Sequence, residues 1–207
     1  MQKVMNLGHD CSSTMICQHL LEYNGHGPFD WVLSTPISLC KFLSYLFIHG
    51  VDKTVELFAE IKPLSEIVPH WLTELEFNVV HWDKIGMDKI RRRIQRFYDT
   101  ITDKNIFIIF TYINHDQNEL LPNETVPPNL IKVSKMLSLF RPQNTFKIAF
   151  LHAEAFPCDT TGFEEASIDR IEVPHVSATR YWIWPCVQRL KNKYNLTEID
   201  NGMFRPM

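Results

Sequence analysis

Ile106-Phe-Ile-Ile-Phe-Thr-Tyr112 is an unbroken apolar and β-branched run in a chain whose composition is otherwise well mixed. A run without alternation, and this short, reads as a strand buried on both faces, as in parallel sheets covered by helices. It ends at Asn114-His-Asp116. Before it, Asp88 to Ile101 carries Ile90, Ile94, Phe97 and Ile101 at helical spacing, with charged residues elsewhere. After it, a loop rich in Asn and Pro leads to a helix from Pro128 to Phe140. A second buried strand, Phe146 to Leu151, follows and ends at His152-Ala-Glu154. The helix–strand–helix–strand order sets the reading of the remainder.

Toward the N-terminus, Lys3 to Leu7 reads as a short strand stopped by Gly8. Ser12 to Tyr23 then has helical spacing through Met15, Ile16, His19, Leu20 and Tyr23, with Asp10, Ser12 and Ser13 as candidate caps. Asn24 to Pro28 is a turn, Phe29 to Leu33 a short apolar segment, and Pro36 opens a helix through Ile48 that Gly50 ends. A second amphipathic piece runs to Ile61, and Pro63 to Pro69 is a connector. Glu76 to Val80 reads as a strand ending at His81-Trp-Asp83. Ile168 to Val173 is a shorter strand and Tyr181 to Tyr194 a closing helix. Alternating strands and helices predict an α/β fold: one domain over residues 1–207, a mostly parallel sheet, and helices on both faces.

The composition sets the function classes. Of the 207 residues, 45% are hydrophobic and 12% aromatic, which excludes a disordered chain. The net charge of −3 gives no general drive toward nucleic acid or an anionic membrane. The cluster Arg91-Arg-Arg93 with Arg96 is flanked by Asp83, Asp88 and Asp99, so it reads as a solvated helix face, with a buried ion pair made by one arginine as the alternative. No run approaches the about 20 apolar residues that span a bilayer. Met1 to Asn6 does not resemble a signal peptide, so a cytosolic setting with reduced thiols is expected. Five cysteines, an odd number, include no Cys-x-x-Cys pair, which argues against that type of zinc site.

Cys11, His81, His115 with Asp116, and His152 each lie just past the end of an expected strand. If those strands are parallel, the groups converge on one rim, where ligands bind in such sheets. Cys11 sits at a strand-to-helix junction. There the helix dipole and unpaired N–H groups favour a thiolate and could hold an oxyanion. Packing as a small buried hydrophobe is the other reading of that thiol, and the expected one for Cys17 and Cys40. His81, His115 and His152 are all candidate bases. A metal site would be sought at His115-Asp116, but no ligand spacing supports one, and no metal or cofactor is expected.

Three segments in order then carry a resemblance: Asn6-Leu-Gly-His-Asp-Cys11, Pro28-Phe-Asp-Trp31, and Arg92-Arg-Ile-Gln-Arg-Phe97 preceded by Val80-His-Trp-Asp83. Their order resembles the papain-like cysteine peptidase family found in bacteria, eukaryotes and some large DNA viruses. The likeness covers roughly the first half of the chain. It implies Cys11 as nucleophile and His81 as base, and matches Asp30 and Trp31 to the family's Asp-Trp. Trp82 stands within the His-Asp element, and no Gln precedes Cys11 at short range. For the third group, Asp30 is the first choice, either orienting the imidazole or capping the turn after the first helix; Asn114 and Asp116 are alternatives.

The expected function is therefore a cysteine-dependent hydrolase or acyl-transfer enzyme of peptidase or deamidase type, acting on a peptide, amide or thioester. The competing expectation is a non-catalytic interaction or regulatory module, such as a viral one, with a protein partner at Tyr181-Trp-Ile-Trp184. Core packing of that aromatic stretch is the stronger reading.

Overall fold

The protein is seen in a computed structural model that describes residues 1–8, 11–30, 32–59, 70–72, 77–79, 86–114, 126–153, 158–174 and 179–199. Its elements are β1 (Gln2–Asn6), α1 (Cys11–Gln18), β2 (Val32–Leu33), α2 (Pro36–Ala59), β3 (His70–Leu72), β4 (Phe77–Val79) and α3 (Met87–Thr102). They continue with β5 (Phe107–Asn114), α4 (Val126–Phe140), a 3-10 turn, β6 (Phe146–Ala153), β7 (Ile168–Val173) and α5 (Thr179–Tyr194).

β5 is buried on both faces, as its unbroken apolar run requires. Ile108, Phe110 and Tyr112 point into one cluster with Phe146, Ile148 and Phe150 of β6. Ile109 and Ile113 point into another with Val4 of β1 and Leu151 of β6. The first cluster is closed by Leu39, Phe42 and Leu43 of α2, Ile94 and Phe97 of α3, and Leu130 and Val133 of α4. The second is closed by Ile16 and Cys17 of α1 and by Trp182, Ile183, Cys186 and Val187 of α5. Helices therefore cover both faces of a four-stranded, all-parallel sheet of order β1-β5-β6-β7.

Three expectations shift. Glu76 to Val80 was expected to extend the parallel sheet, but β4 lies in a separate sheet of order β2-β4-β3, antiparallel throughout. The helix expected over 12–23 stops at Gln18 because the next residues have other partners. Val4 N donates to Glu22 O (2.8 Å) and Asn24 N to Val4 O (3.1 Å), so this return segment lies along the edge of β1. The two helical pieces expected on either side of Gly50 are joined into α2, which breaks at that residue (φ 73°, ψ −176°).

Arg141, just after α4, is the feature that sequence patterning passes over. It is 1% exposed. Its Nη1 donates to Thr100 O (3.0 Å) and Ile101 O (3.3 Å), and its Nε to Thr145 Oγ1 (3.0 Å). Its Nη2 donates to Thr145 O (3.2 Å) and to Ile106 O. The first two acceptors are carbonyls from the last turn of α3, which have no partner within the helix and attract a cation. One side chain thus ties the end of α3 to the starts of β5 and β6. Arg141→Ala is expected to destabilise the fold by about 3 kcal/mol, since it strands several buried carbonyls. Arg141→Lys recovers only part, lacking the planar fork. Urea unfolding of the two variants checks this.

Candidate functional site

The direction of chain connection reverses at β1. Through α1, on one face, the chain reaches the outer edge of β1 at Tyr23. The strand added on the other edge is β5, whose onward crossover, α4, packs on the opposite face. In open α/β sheets ligands bind where connections part in this way, beyond the carboxyl ends of the strands. Gly8 and the first turn of α1 stand at that point.

The turn that carries the chain from β1 into α1 is held tightly. Gly8 has φ +93°, a conformation that disfavours side chains, and a Cβ there would meet Ser34 Oγ at 2.2 Å. Ser34 Oγ donates to Leu7 O (2.8 Å), and Gly8 N donates to Asn6 Oδ1 (2.7 Å). Asn6 Nδ2 turns the other way and donates to Asp30 Oδ1 (3.0 Å), with Thr14 Oγ1 at 3.3 Å.

Asp30 is fully buried, and both its oxygens are occupied. Oδ1 accepts from Asn6 and from Thr14 Oγ1 (3.3 Å). Oδ2 accepts from Tyr23 OH (2.5 Å) and Gly27 N (2.5 Å). His26 Nδ1 stands 3.5 Å from Oδ2, a looser contact than the other two. Burial and then the charge of Asp30 push the Tyr23 phenol far above its ordinary pKa, so it stays a donor. Arg93 of α3 also feels this carboxylate: burial lowers its pKa, and the charge of Asp30 works against that. Of the two roles expected for Asp30, this geometry matches the cap that fixes the turn after the first helix.

The three motif segments meet here. Asn6 and Asp30 are bonded, and the Phe29 ring packs edge-on against Phe97 (5.3 Å). Arg96 Nη1 donates to His26 O (3.0 Å), and Asn24 Nδ2 to Thr100 Oγ1 (2.7 Å). α3 therefore grips the loop that contains Asp30. Arg91, one turn earlier, pairs with Asp52 at the surface. Asn6, Thr14 and Tyr23 were not singled out as partners of Asp30. A buried carboxylate implied donors, but only the fold names them.

Cys11 is the first residue of α1, at the switch point; its side chain, His81, His115 and Asp116 lie outside the described residues. β4, the strand expected to end at His81, lies in the antiparallel sheet and not in the parallel one. Its register nevertheless places Val79 opposite Val32, two residues past Asp30. Asn114 pairs with His152 at the ends of β5 and β6. His152 was expected on the rim with Cys11. It does stand at the carboxyl end of β6, but its ring packs by Phe150 (5.3 Å), on the face opposite α1 and on a strand two spacings, about 10 Å, from β1. Cys17 is buried against Thr111 Oγ1 (3.1 Å), and burial pushes its thiol up to about 12. Burial raises Cys40 to about 11 and also lifts Cys158. Trp182 and Ile183 are core residues, and Trp184 packs edge-on against His19 (6.2 Å). Among the described residues no acidic, His and Cys cluster could hold a metal ion, and no helix is long and apolar enough to cross a membrane. Comparison with protein-family models, with curated proteins and with solved structures yields no match.

Two expectations can be measured. Gly8→Ala forces a Cβ into Ser34 at a left-handed backbone, and an unfolding midpoint should fall by an amount equivalent to about 2 kcal/mol. The double variant Gly8→Ala/Ser34→Gly should recover the steric part of that loss. Burial, then Arg170, lower the pKa of His152 below 6.5. Protonation thus favours the unfolded chain, so this contribution to stability is intact above pH 6.5 and is lost as pH falls from there through the lowered folded value. The melting temperature should drop over that window, and less steeply in His152→Gln.

Proposed function

We propose that the chain is a cysteine-dependent hydrolase or acyl-transfer enzyme acting on an amide, peptide or thioester bond. The observation that carries the reading is the placement of Cys11 as the first residue of α1, immediately past the Gly8 turn, where the connections from β1 and β5 part. A thiol there experiences the positive end of the helix, which favours the thiolate. The order of the three motif segments, and their meeting around Asp30, agrees with the resemblance to papain-like cysteine peptidases.

In this reading the Cys11 thiolate adds to the carbonyl carbon and backbone N–H groups near Ser12 and Ser13 hold the oxyanion. His81 takes the thiol proton and returns it to the leaving group. Water then cleaves the acyl-enzyme. The register of β4 supports His81 as the base, since its end faces the strand that follows Asp30. Asp30 contributes by holding Asn6, and through it the Gly8 turn, rather than by touching substrate.

The test is intact-mass analysis after brief exposure to a thiol-directed electrophile at neutral pH. One adduct is expected, at Cys11, with Cys17 and Cys40 unmodified because burial holds their thiols protonated. His81→Ala should slow labelling about tenfold or more as the thiolate fraction falls. Absence of a Cys11 adduct, or an unchanged rate in His81→Ala, overturns the assignment.

A further inference from the structure

We propose that the seam between α2 and α4 is a docking surface for an acidic, amphipathic segment of a partner protein. The two helices lie side by side in the same direction. Cys40 Sγ reaches Asn129 O (3.9 Å), Ser44 Oγ reaches Met136 Sδ (3.8 Å), and Phe47 meets Phe140 edge-on (5.3 Å). Their far ends therefore bring Phe47, Ile48 and Leu139 together, 51%, 70% and 55% exposed. Large apolar side chains left this open in a group, beside polar surface, mark an interaction site more than isolated ones do.

The charge around the patch specifies the occupant. A chain with 24 acidic residues places none in α4 and none in α2 before its break at Gly50. What those stretches carry instead is Lys41, Lys132 and Lys135. Lys132 and Lys135 lie on the exposed stripe of α4 that ends at Leu139. A second copy of this chain laid on the seam would set lysines against lysines, which is unfavourable. A bilayer is also a poor match. On the other side of the apolar cluster, one turn beyond Ile48, stand the exposed ion pairs Asp52–Arg91 and Lys53–Glu56. Inserting the cluster into hydrocarbon would drag those charges toward it. An apolar centre with a basic flank on one side and self-paired charges on the other matches a peptide with apolar anchors followed by carboxylates. The 15 residues of α4 offer a ridge about 22 Å long, enough for four turns of a partner helix.

The experiment pans a displayed library of random peptides of about 15 residues, the length that spans the ridge, against the full chain. The counter-targets are Ile48→Ser/Leu139→Ser and Lys132→Glu/Lys135→Glu, both confined to exposed positions and checked for an unchanged melting temperature. Recovered peptides should pair Leu or Phe anchors with Asp or Glu, and each double variant should weaken their binding by about tenfold or more. The proposal is overturned if no peptide is enriched, if the enriched peptides are neutral or basic, or if both variants bind them as well as the parent chain. It is equally overturned if the variants instead abolish pelleting with phosphatidylserine vesicles, or abolish self-association in sedimentation equilibrium.

Discussion

A carboxylate without solvent has to be given donors, and the burial of Asp30 organises this end of the molecule around that requirement. The donors come from separate parts of the chain: Asn6 at the end of β1, Thr14 in α1, Tyr23 on the return segment and Gly27 in the preceding loop. Each contact fixes one segment against another. Because Asn6 is shared between Asp30 and Gly8 N, the same network sets the turn into α1 and hence where Cys11 begins its helix. Leaving the charge buried while removing one donor would cost more than the bond itself, since the anion would be left under-coordinated.

Arg141 does the opposite job at the other end of the sheet. Its guanidinium is satisfied by carbonyl oxygens from α3 and from the approaches to β5 and β6, with no carboxylate among those acceptors. Donors gather round the anion at the carboxyl ends of the strands, and acceptors round the cation at the amino ends. α3 touches both, through Arg93 near Asp30 and through Thr100 and Ile101 at Arg141. This explains why a helix with so charged a sequence is nevertheless held by Ile90, Ile94, Phe97 and Ile101 in the core: its apolar stripe packs while its polar residues bind the neighbouring loops.

The two faces of the sheet have different tasks. α1 and α5 close a smaller cluster beneath the switch point, and Trp182 of α5 is spent on that packing. The three helices of the other face build the larger cluster, and its outermost helices leave apolar and basic side chains in solvent. The chemistry assigned to Cys11 and the docking assigned to the α2–α4 seam thus sit on different surfaces and can fail or hold independently.

Local patterning determined the α/β class, the double-sided burial of β5 and β6, the break at Gly50 and the junction at Cys11. Each of these depends on a short-range signal: an apolar run, a helical spacing, a glycine or a cap. Pairing is a different matter. Nothing within Glu76 to Val80 separates a parallel strand from an antiparallel one, so only the tertiary fold put β4 in the antiparallel sheet and set Val79 opposite Val32. The face on which His152 lies was decided in the same way, because strand period assigns a side only once the register is known. The partners of the buried charges were also beyond sequence reading. Asn6, Thr14 and Tyr23 lie on separate segments, and Asp30 selects them because burial makes an unpartnered carboxylate too costly to keep.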